Sequence, residues 1–265
     1  MAVCQDRTAG LIRALERFHL KHPIKILINR LIRVGTPRVR AQIVRTLPHD
    51  CLAFTQGLSY HRGLLYESTG STTHSSLRCL DPSDGSLRSQ VQVKNDHAEG
   101  IAVVGNRLFQ LSWKSEKVRV YQLPELMKVG EFSYDGEGWG LAAGSNGLIM
   151  SNGSSTLYFR DEAFQVTRVS HVRSNGIPVR NINDIECVGR SIYANILGSG
   201  DIFEISLDHG NVLRIVDCSA LVAAAGPSDD ASVLNGIAYN GDRGTFFLTG
   251  KNWPLLFEVR IPQIQ

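Results

Sequence analysis

Polar and apolar residues alternate along most of this chain, but the start of the chain follows a different period. Residues 8–20 place their apolar side chains at helical spacing, which predicts an amphipathic helix. Residues 24–34 can form a second, basic helix. From residue 38 the period changes to two, which predicts a strand over residues 38–47. Short alternating runs separated by polar turns follow to the end, so the body of the protein is predicted to be all-β.

A short motif, consisting of any residue, a glycine and an apolar residue, recurs at the start of five apolar runs. Its copies are Gln56-Gly57-Leu58, Glu99-Gly100-Ile101, Trp139-Gly140-Leu141, Ile185-Glu186-Cys187 and Asn235-Gly236-Ile237. They lie 40 to 50 residues apart, and the fourth has Glu186 in place of glycine. In most copies three more strands follow the first. Four strands in such a repeat are typical of a β-propeller blade.

Five copies of the motif predict a five-bladed β-propeller. The last copy, over residues 234–262, offers only three strands, and the strand at 38–47 would supply the fourth. This pairing would close the ring and remove the exposed edges of an open sheet. We therefore predict two parts, a basic and partly helical N-terminal extension over residues 1–37 and a propeller over residues 38–265.

Charge is divided unevenly between the two ends of the chain. Residues 1–45 hold ten Lys and Arg against two acids, whereas the remaining 220 residues hold 18 against 23. Because the propeller is mildly acidic, the charge gives no case for nucleic acid as a partner. The basic, acid-poor extension is either a membrane-surface or transit segment, or an extension that lies on the propeller.

Several classes of protein are disfavoured by what the sequence lacks. No apolar run is long enough for an integral membrane segment, and the first residues lack the apolar core of a signal peptide. Neither cysteines nor histidines have metal-ligand spacing, so we expect no metal and no cofactor. The odd count of five cysteines argues against a complete disulfide framework, although Cys187 could pair with Cys218.

The repeat also predicts a binding site, because equivalent positions of successive blades surround one axis at one height. The residues before the motif glycine then converge on one mouth of the central channel: Gln56, Glu99, Trp139, Ile185 and Asn235. The ends of the second strands, including Trp113 and Lys251, lie close by. A scaffold would repeat one residue type here, whereas these differ in every blade. An acid beside an indole, as with Glu99 and Trp113, suits a small cationic group.

Longer motifs resemble a known family. They include Ala53-Phe54-Thr55-Gln56-Gly57-Leu58, Glu67-Ser68-Thr69-Gly70, Gln110-Leu111-Ser112-Trp113, Gly136-Glu137-Gly138-Trp139, Asn183-Asp184-Ile185-Glu186, Tyr193-Ala194-Asn195 and Thr249-Gly250-Lys251. Over roughly residues 40–262 the chain resembles the plant and bacterial type of glutaminyl cyclase, also called glutamine cyclotransferase. The resemblance implies a five-bladed propeller and a metal-independent enzyme that converts the N-terminal glutamine of a peptide or protein to pyroglutamate and ammonia. Members of the family are mostly exported, but this sequence leaves the compartment open. We expect a monomer.

The resemblance also implies roles for individual residues. Glu99 would be the base that takes a proton from the substrate α-amine, and burial should raise its pKa towards that of the amine. The ammonium of Lys251, the amide of Asn183 and the indole N–H groups of two tryptophans are candidates to stabilise the oxyanion. The predicted substrate-binding residues are Phe54, Gln56, Trp113, Trp139, Glu186 and Asn235. Of these, Gln56 would hold the substrate carboxamide, and Glu186 would orient Lys251 or Asn183.

Three residues depart from the family's pattern, and two other functions stay open. Leu197 stands where the family usually has tryptophan, His97 where it often has another aromatic residue, and Asp184 where it often has glutamate. The missing indole removes part of a pocket wall, so activity or substrate range can differ. The main alternative is a non-catalytic propeller that binds peptide N-termini. A calcium-dependent lactonase-like hydrolase is disfavoured, because few acids are available to hold the ion.

Overall fold

The predicted ring of five blades is present in the protein. A computed structural model describes residues 31–71, 74–227 and 229–263. The helix predicted over residues 8–20, and most of the one predicted over 24–34, lie outside the described residues. Residues 31–33 are helical, and Ile32 packs in the apolar core around blade 4. The described end of the N-terminal segment therefore lies on the propeller.

The strands follow one another around the ring in chain order. Two strands precede the blades, β1 (Arg38–Arg40) and β2 (Gln42–Pro48). Blade 1 contains β3 (Thr55–His61), β4 (Leu64–Thr69), β5 (Ser75–Leu80) and β6 (Leu87–Val93). Blade 2 contains β7 (Ala98–Val104), β8 (Arg107–Ser112), β9 (Lys117–Gln122) and β10 (Met127–Ser133). Blade 3 contains β11 (Leu141–Gly144), β12 (Gly147–Ser151), β13 (Thr156–Arg160) and β14 (Val166–His171).

A short hairpin separates blade 3 from the last two blades. It consists of β15 (Arg173–Ser174) and β16 (Ile177–Pro178). Blade 4 contains β17 (Ile182–Val188), β18 (Ser191–Ile196), β19 (Asp201–Ser206) and β20 (Val212–Asp217), and helix α1 (Ser219–Ala225) follows it. Blade 5 contains β21 (Leu234–Asn240), β22 (Thr245–Gly250) and β23 (Leu255–Arg260). The first strand of each blade faces the axis.

The ring is closed by the strands that precede blade 1. Strand β2 pairs antiparallel with β23, with Leu47 opposite Leu256, and so supplies the fourth strand of blade 5 as predicted. The prediction of one continuous strand is wrong, because β1 instead pairs parallel with β20 as a fifth strand of blade 4. The chain crosses between the blades at Ala41, which is buried and donates its N–H to Asp217 O at 3.0 Å.

The motif glycines are required by the close approach of the inner strands. A Cβ on Gly100 would lie 2.6 Å from the Cα of Gly140, and a Cβ on Gly140 would lie 2.0 Å from the carbonyl oxygen of Asn183. No side chain fits in such a gap, so each inner strand needs a residue without a Cβ where it meets its neighbour.

The fourth blade is the exception, and its predicted motif was placed two residues too far along. Ile185 pairs with Ala194 just as Ile101 pairs with Gln110, nine residues apart in both cases. The fourth copy is therefore Asn183-Asp184-Ile185, and Asp184 rather than Glu186 stands at the glycine position. A slip of two residues keeps every side chain on the same face of a strand, so the alternation of polar and apolar residues could not reveal it.

Four of the five cysteines lie in the described parts of the chain. The thiols of Cys51, Cys79, Cys187 and Cys218 are free. The pairing of Cys187 with Cys218 that the sequence allowed is not formed, since the first lies on the inner strand of blade 4 and the second follows its outer strand. Across residues 31–71, 74–227 and 229–263, no helical segment has the length and hydropathy that crossing a bilayer requires.

Candidate active site

A buried carboxylate, that of Glu99, lies at the mouth of the channel where β7 begins. Its side chain is about 5 % exposed. Gln56 donates from Nε2 to Glu99 Oε1 at 2.9 Å, and the same amide nitrogen lies 2.9 Å from His97 Nε2. Glu99 Oε1 is also 3.4 Å from His97 Nε2. These three side chains come from the starts of two neighbouring inner strands, as the repeat predicted.

Burial is the main cause of the unusual proton affinity of Glu99. The carboxyl is removed from water, which raises its pKa well above the ordinary value, and the charges of Asp184 and Glu137 act in the same direction. The ammonium of Lys251 opposes this shift. Glu99 is therefore a carboxyl group whose pKa lies closer to that of an amine than a solvated glutamate would allow.

Lys251 is the cation of the site and follows the end of β22. It is about 7 % exposed, and its ammonium lies 4.7 Å from the ring centroid of Phe54. Burial lowers the pKa of Lys251, whereas the charges of Glu99 and Asp184 raise it. Phe54 thus contacts the ammonium of Lys251, and it also lines the adjacent cleft.

The loop that carries Lys251 is held by His49, the residue after the closing strand. The His49 N–H donates to Pro254 O at 2.9 Å, and its ring Nδ1 and Nε2 lie 2.7 Å from Trp253 O and 2.9 Å from Glu67 Oε1. Both ring nitrogens face acceptors, which requires a doubly protonated imidazole. Burial lowers the pKa of His49, but the Glu67 carboxylate outweighs burial and raises it above its ordinary value.

The aromatic wall of the site is formed by two indoles that share one acceptor. Trp113 and Trp139 both donate their Nε1–H to Glu137 Oε2, at 2.9 and 3.0 Å. Trp139 packs against Gly153, where a Cβ would lie 2.7 Å from the indole ring. The ring of His97 meets that of Trp113 edge-on, with centroids 5.4 Å apart. Since both indole N–H groups already have an acceptor, the remaining candidates to stabilise an oxyanion are Lys251 and Asn183.

Asn183 lies at the start of β17, the inner strand of blade 4. Its side chain is about 2 % exposed, and its Oδ1 has no hydrogen-bond partner among the described residues. Its backbone carbonyl accepts a hydrogen bond from Ser151 Oγ at 2.7 Å. A buried amide with an unused acceptor is a group that a ligand can satisfy.

Asp184 was not among the predicted site residues, although it occupies the motif-glycine position of blade 4. Its Oδ2 accepts the backbone N–H groups of Leu58 at 3.2 Å and Ile237 at 2.9 Å, so one carboxyl joins the inner strands of blades 1, 4 and 5. Burial raises the pKa of Asp184 well above its ordinary value, although these N–H donors oppose the shift. The nine-residue distance from the motif to its partner strand in blades 1, 2 and 3 would have found it.

Glu186 and Asn235, both predicted to bind substrate, contact other groups of the protein. Glu186 lies two residues beyond Asp184 along β17, about 7 Å further from the mouth, and burial raises its pKa well above the ordinary value. It therefore lines the channel below the pocket. Asn235 is fully buried behind Gln56, with Nδ2 at 3.0 Å from Thr55 O and 3.5 Å from Gln56 Oε1. Its contacts orient Gln56, which in turn orients Glu99.

In the part of the chain that the structure describes, no group of three or more His, Cys, Asp or Glu side chains is arranged to hold a metal ion. The polar groups of the mouth instead pair with one another, as Gln56 does with Glu99. The arrangement can hold and move protons.

Comparison with known proteins identifies the family. A family model described as Glutamine cyclotransferase matches residues 23–261. This chain belongs to that family. It is 37 % identical over 228 residues to a glutaminyl-peptide cyclotransferase of Arabidopsis thaliana, covering 84 % of this chain and 71 % of the relative. The crystal structure of Myxococcus xanthus glutaminyl cyclase matches with a TM-score of 0.82 and 37 % identity, covering 87 % of this chain and all of that one.

Two departures from the family's pattern have visible consequences in the mouth. His97 keeps an aromatic ring against Trp113 but adds a nitrogen that contacts Gln56. Burial lowers the pKa of His97, as does the nearby Lys251, so its ring is held neutral. Leu197 follows β18 half-buried, with its N–H donated to Asn181 O at 2.8 Å. A glutamine cyclotransferase with leucine here has a smaller aromatic wall on the side of blade 4.

Proposed function

We propose that this protein is a glutaminyl-peptide cyclotransferase that converts an N-terminal glutamine to pyroglutamate and releases ammonia. The observation that carries the proposal is the buried Glu99 carboxylate, held by Gln56 and interacting electrostatically with the Lys251 ammonium, in a member of the glutamine cyclotransferase family. The non-catalytic alternative is not favoured, because binding an ammonium group needs only an ordinary carboxylate, whereas this carboxyl has a strongly raised pKa.

In this proposal Glu99 moves the proton of the reaction. The substrate α-ammonium, with an ordinary pKa of about 8, gives a proton to Glu99 and becomes nucleophilic. The amine nitrogen then forms a bond to the γ-carbonyl carbon, and Glu99 gives its proton to the departing –NH₂ group as the old carbon–nitrogen bond breaks. The regenerated carboxylate takes up the second proton, which the attacking nitrogen loses as it becomes the lactam N–H, and releases it to solvent. The products are the five-membered lactam and ammonia. A carboxyl with a raised pKa suits both transfers, because its proton affinity is closer to that of the amine.

The negative charge of the tetrahedral intermediate would be stabilised by Lys251 and Asn183. A donor aimed at a developing oxyanion contributes roughly 3 kcal/mol to the barrier reduction. Trp113 and Trp139 would enclose the glutamine side chain between their faces, and Glu137 would hold both indoles in place. We also expect a monomer, because the closed ring leaves no inner sheet edge to pair, and analytical ultracentrifugation tests this.

The deciding experiment measures ammonia release from a glutaminyl dipeptide, with and without a chelator. We expect turnover that the chelator does not change. Glu99→Gln should reduce kcat at least about 100-fold, since it removes the proton acceptor while keeping the shape, with an unchanged circular dichroism spectrum. Near-normal kcat in this variant would place the base elsewhere. Peptide binding without turnover by the wild type would favour the non-catalytic alternative.

A further inference from the structure

A second region, continuous with the pocket, extends outward across blade 1. The mouth opens on one side into a cleft of about 890 Å³. Phe54, His97 and Trp113 line its inner end, and Gln90 and Gln92 on β6, the outermost strand of blade 1, line its outer end. The cleft therefore begins at the residues around Glu99 and ends at the rim of the propeller.

The dimensions of the cleft fit a chain of several residues. A volume in the range of roughly 300 to 1,000 Å³ holds a drug-sized molecule, which is far more than one glutamine side chain needs. Thr69, Ser76 and Gln92 lie opposite one another on three adjacent strands. Adjacent strands are about 4.8 Å apart, so this row spans roughly 10 Å. An extended peptide covers that distance with about three residues.

The chemistry of the walls fits a peptide rather than a single amino acid. The side chains of Gln90 and Gln92 are exposed and have no hydrogen-bond partner in the described parts of the chain, which leaves two amides for peptide groups. Leu52 on the facing wall is 83 % exposed, so it packs in no core. Arg78, which lines the cleft, pairs with Asp50 at 3.0 Å and with Glu67 at 3.2 Å, so its charge is already compensated.

We propose that this cleft binds residues 2 to 4 of the substrate peptide, with an apolar side chain against Leu52 and the peptide groups along Gln90 and Gln92. This inference rests on the proposed function, because the cyclised glutamine fixes where the chain enters the cleft. The substrate class is then an N-terminal glutamine followed by at least three residues.

The test compares glutaminamide, which cannot reach the outer part of the cleft, with Gln-Ala-Leu-Ala amide. We expect at least a fivefold higher kcat/KM for the tetrapeptide. Leu52→Ser should remove most of this advantage and leave glutaminamide turnover unchanged. Peptides with Lys or Glu at the fourth position test the outer end of the cleft with Gln92→Glu and Gln92→Lys. A variant whose charge is opposite to that of the peptide should lower KM two- to fivefold, and one of like charge should raise it two- to fivefold, as exposed charge pairs do.

Gln42 provides the matched control. It is also an exposed glutamine on the outermost strand of a blade, but it lies at the far end of β2 and does not line the cleft. Gln42→Glu and Gln42→Lys should leave every KM unchanged. Equal kcat/KM for both substrates, or equal effects at positions 42 and 92, would overturn the inference. If no substrate is cyclised, the proposed function fails; quenching of tryptophan fluorescence by the tetrapeptide, but not by glutaminamide, would then still support the cleft.

Discussion

At the scale of the residue, the site depends on one anion, Glu99, and one cation, Lys251, that are both buried from solvent. Burial raises the pKa of Glu99 and lowers that of Lys251, and each charge opposes the shift of the other. Each charge therefore keeps the pKa of the other group closer to its ordinary value, and removing either charge would move the pKa of the other further from it. The contacts of Gln56 with Glu99 and His97 then fix the direction in which the carboxylate faces.

The pH dependence of activity follows from this pair. Glu99 must be deprotonated to accept a proton, so kcat/KM should fall as the pH decreases through its raised pKa. Lys251→Met removes the cation that lowers this pKa, so the acid limb of the kcat/KM profile should move to higher pH, alongside a lower kcat. Lys114→Met is the control, since Lys114 is an exposed lysine over the ring of Trp113. An acid limb that stays in place in Lys251→Met would show that the two charges are not coupled.

At the scale of the element, the inner strands are organised by what a Cβ would contact. Gly140→Ala should destabilise the fold by about 1 to 3 kcal/mol or more, because the new methyl group would overlap the backbone of the fourth blade. Gly130→Ala on β10 is the matched control, since its Cβ would meet only Val120 at 3.9 Å, and it should change stability by less than about 0.5 kcal/mol. Urea denaturation measures both. Equal stabilities of the two variants would mean that the inner strands can move apart.

The elements were largely predictable from the sequence, and the site only in part. Alternation and the repeat predict the blades and bring Gln56, Glu99 and Trp139 to one mouth, because both depend on local periods. The fourth motif was misplaced by two residues, and Asp184 was missed, because a shift of two preserves the alternation of polar and apolar positions. The shared acceptor of the two indoles also escaped, since a hydrogen bond between a loop acid and two rings leaves no period in the sequence.

At the scale of the whole molecule, an ion pair reinforces the closure of the ring. Arg45 on β2 contacts Glu258 on β23, with Nη2 at 2.8 Å from Oε2, and donates to the carbonyl groups of Pro82 and Ser83 in blade 1. Glu258 is fully buried, with Arg243 as its other basic partner. Blades 1 and 5 are therefore held together by a residue of the closing strand.

Removing the contacts of Arg45 should lower the stability of the whole closed ring. Arg45→Met leaves a buried carboxylate with one half-exposed partner and loses three hydrogen bonds, so it should lower the free energy of unfolding by about 1 to 3 kcal/mol. The matched variant Arg40→Met removes a 3.9 Å ion pair with Asp217 in which the arginine side chain is 75 % exposed, and it should cost less than about 1 kcal/mol. Thermal denaturation compares them, and similar melting temperatures for both would show that closure does not depend on Arg45.

The pairing of β2 with β23 also sets an order of events on the ribosome. Residues 42–48 emerge before any blade, yet their partner strand, β23, is synthesised after every other strand of the five blades. The same late segment brings Lys251, whose loop is fastened to His49 and, through the Asn252 N–H, to Ala53 O at 2.8 Å. A nascent chain can thus already contain Glu99 and both indoles and still lack a fixed cation. The site is therefore complete only after β23 has paired with β2.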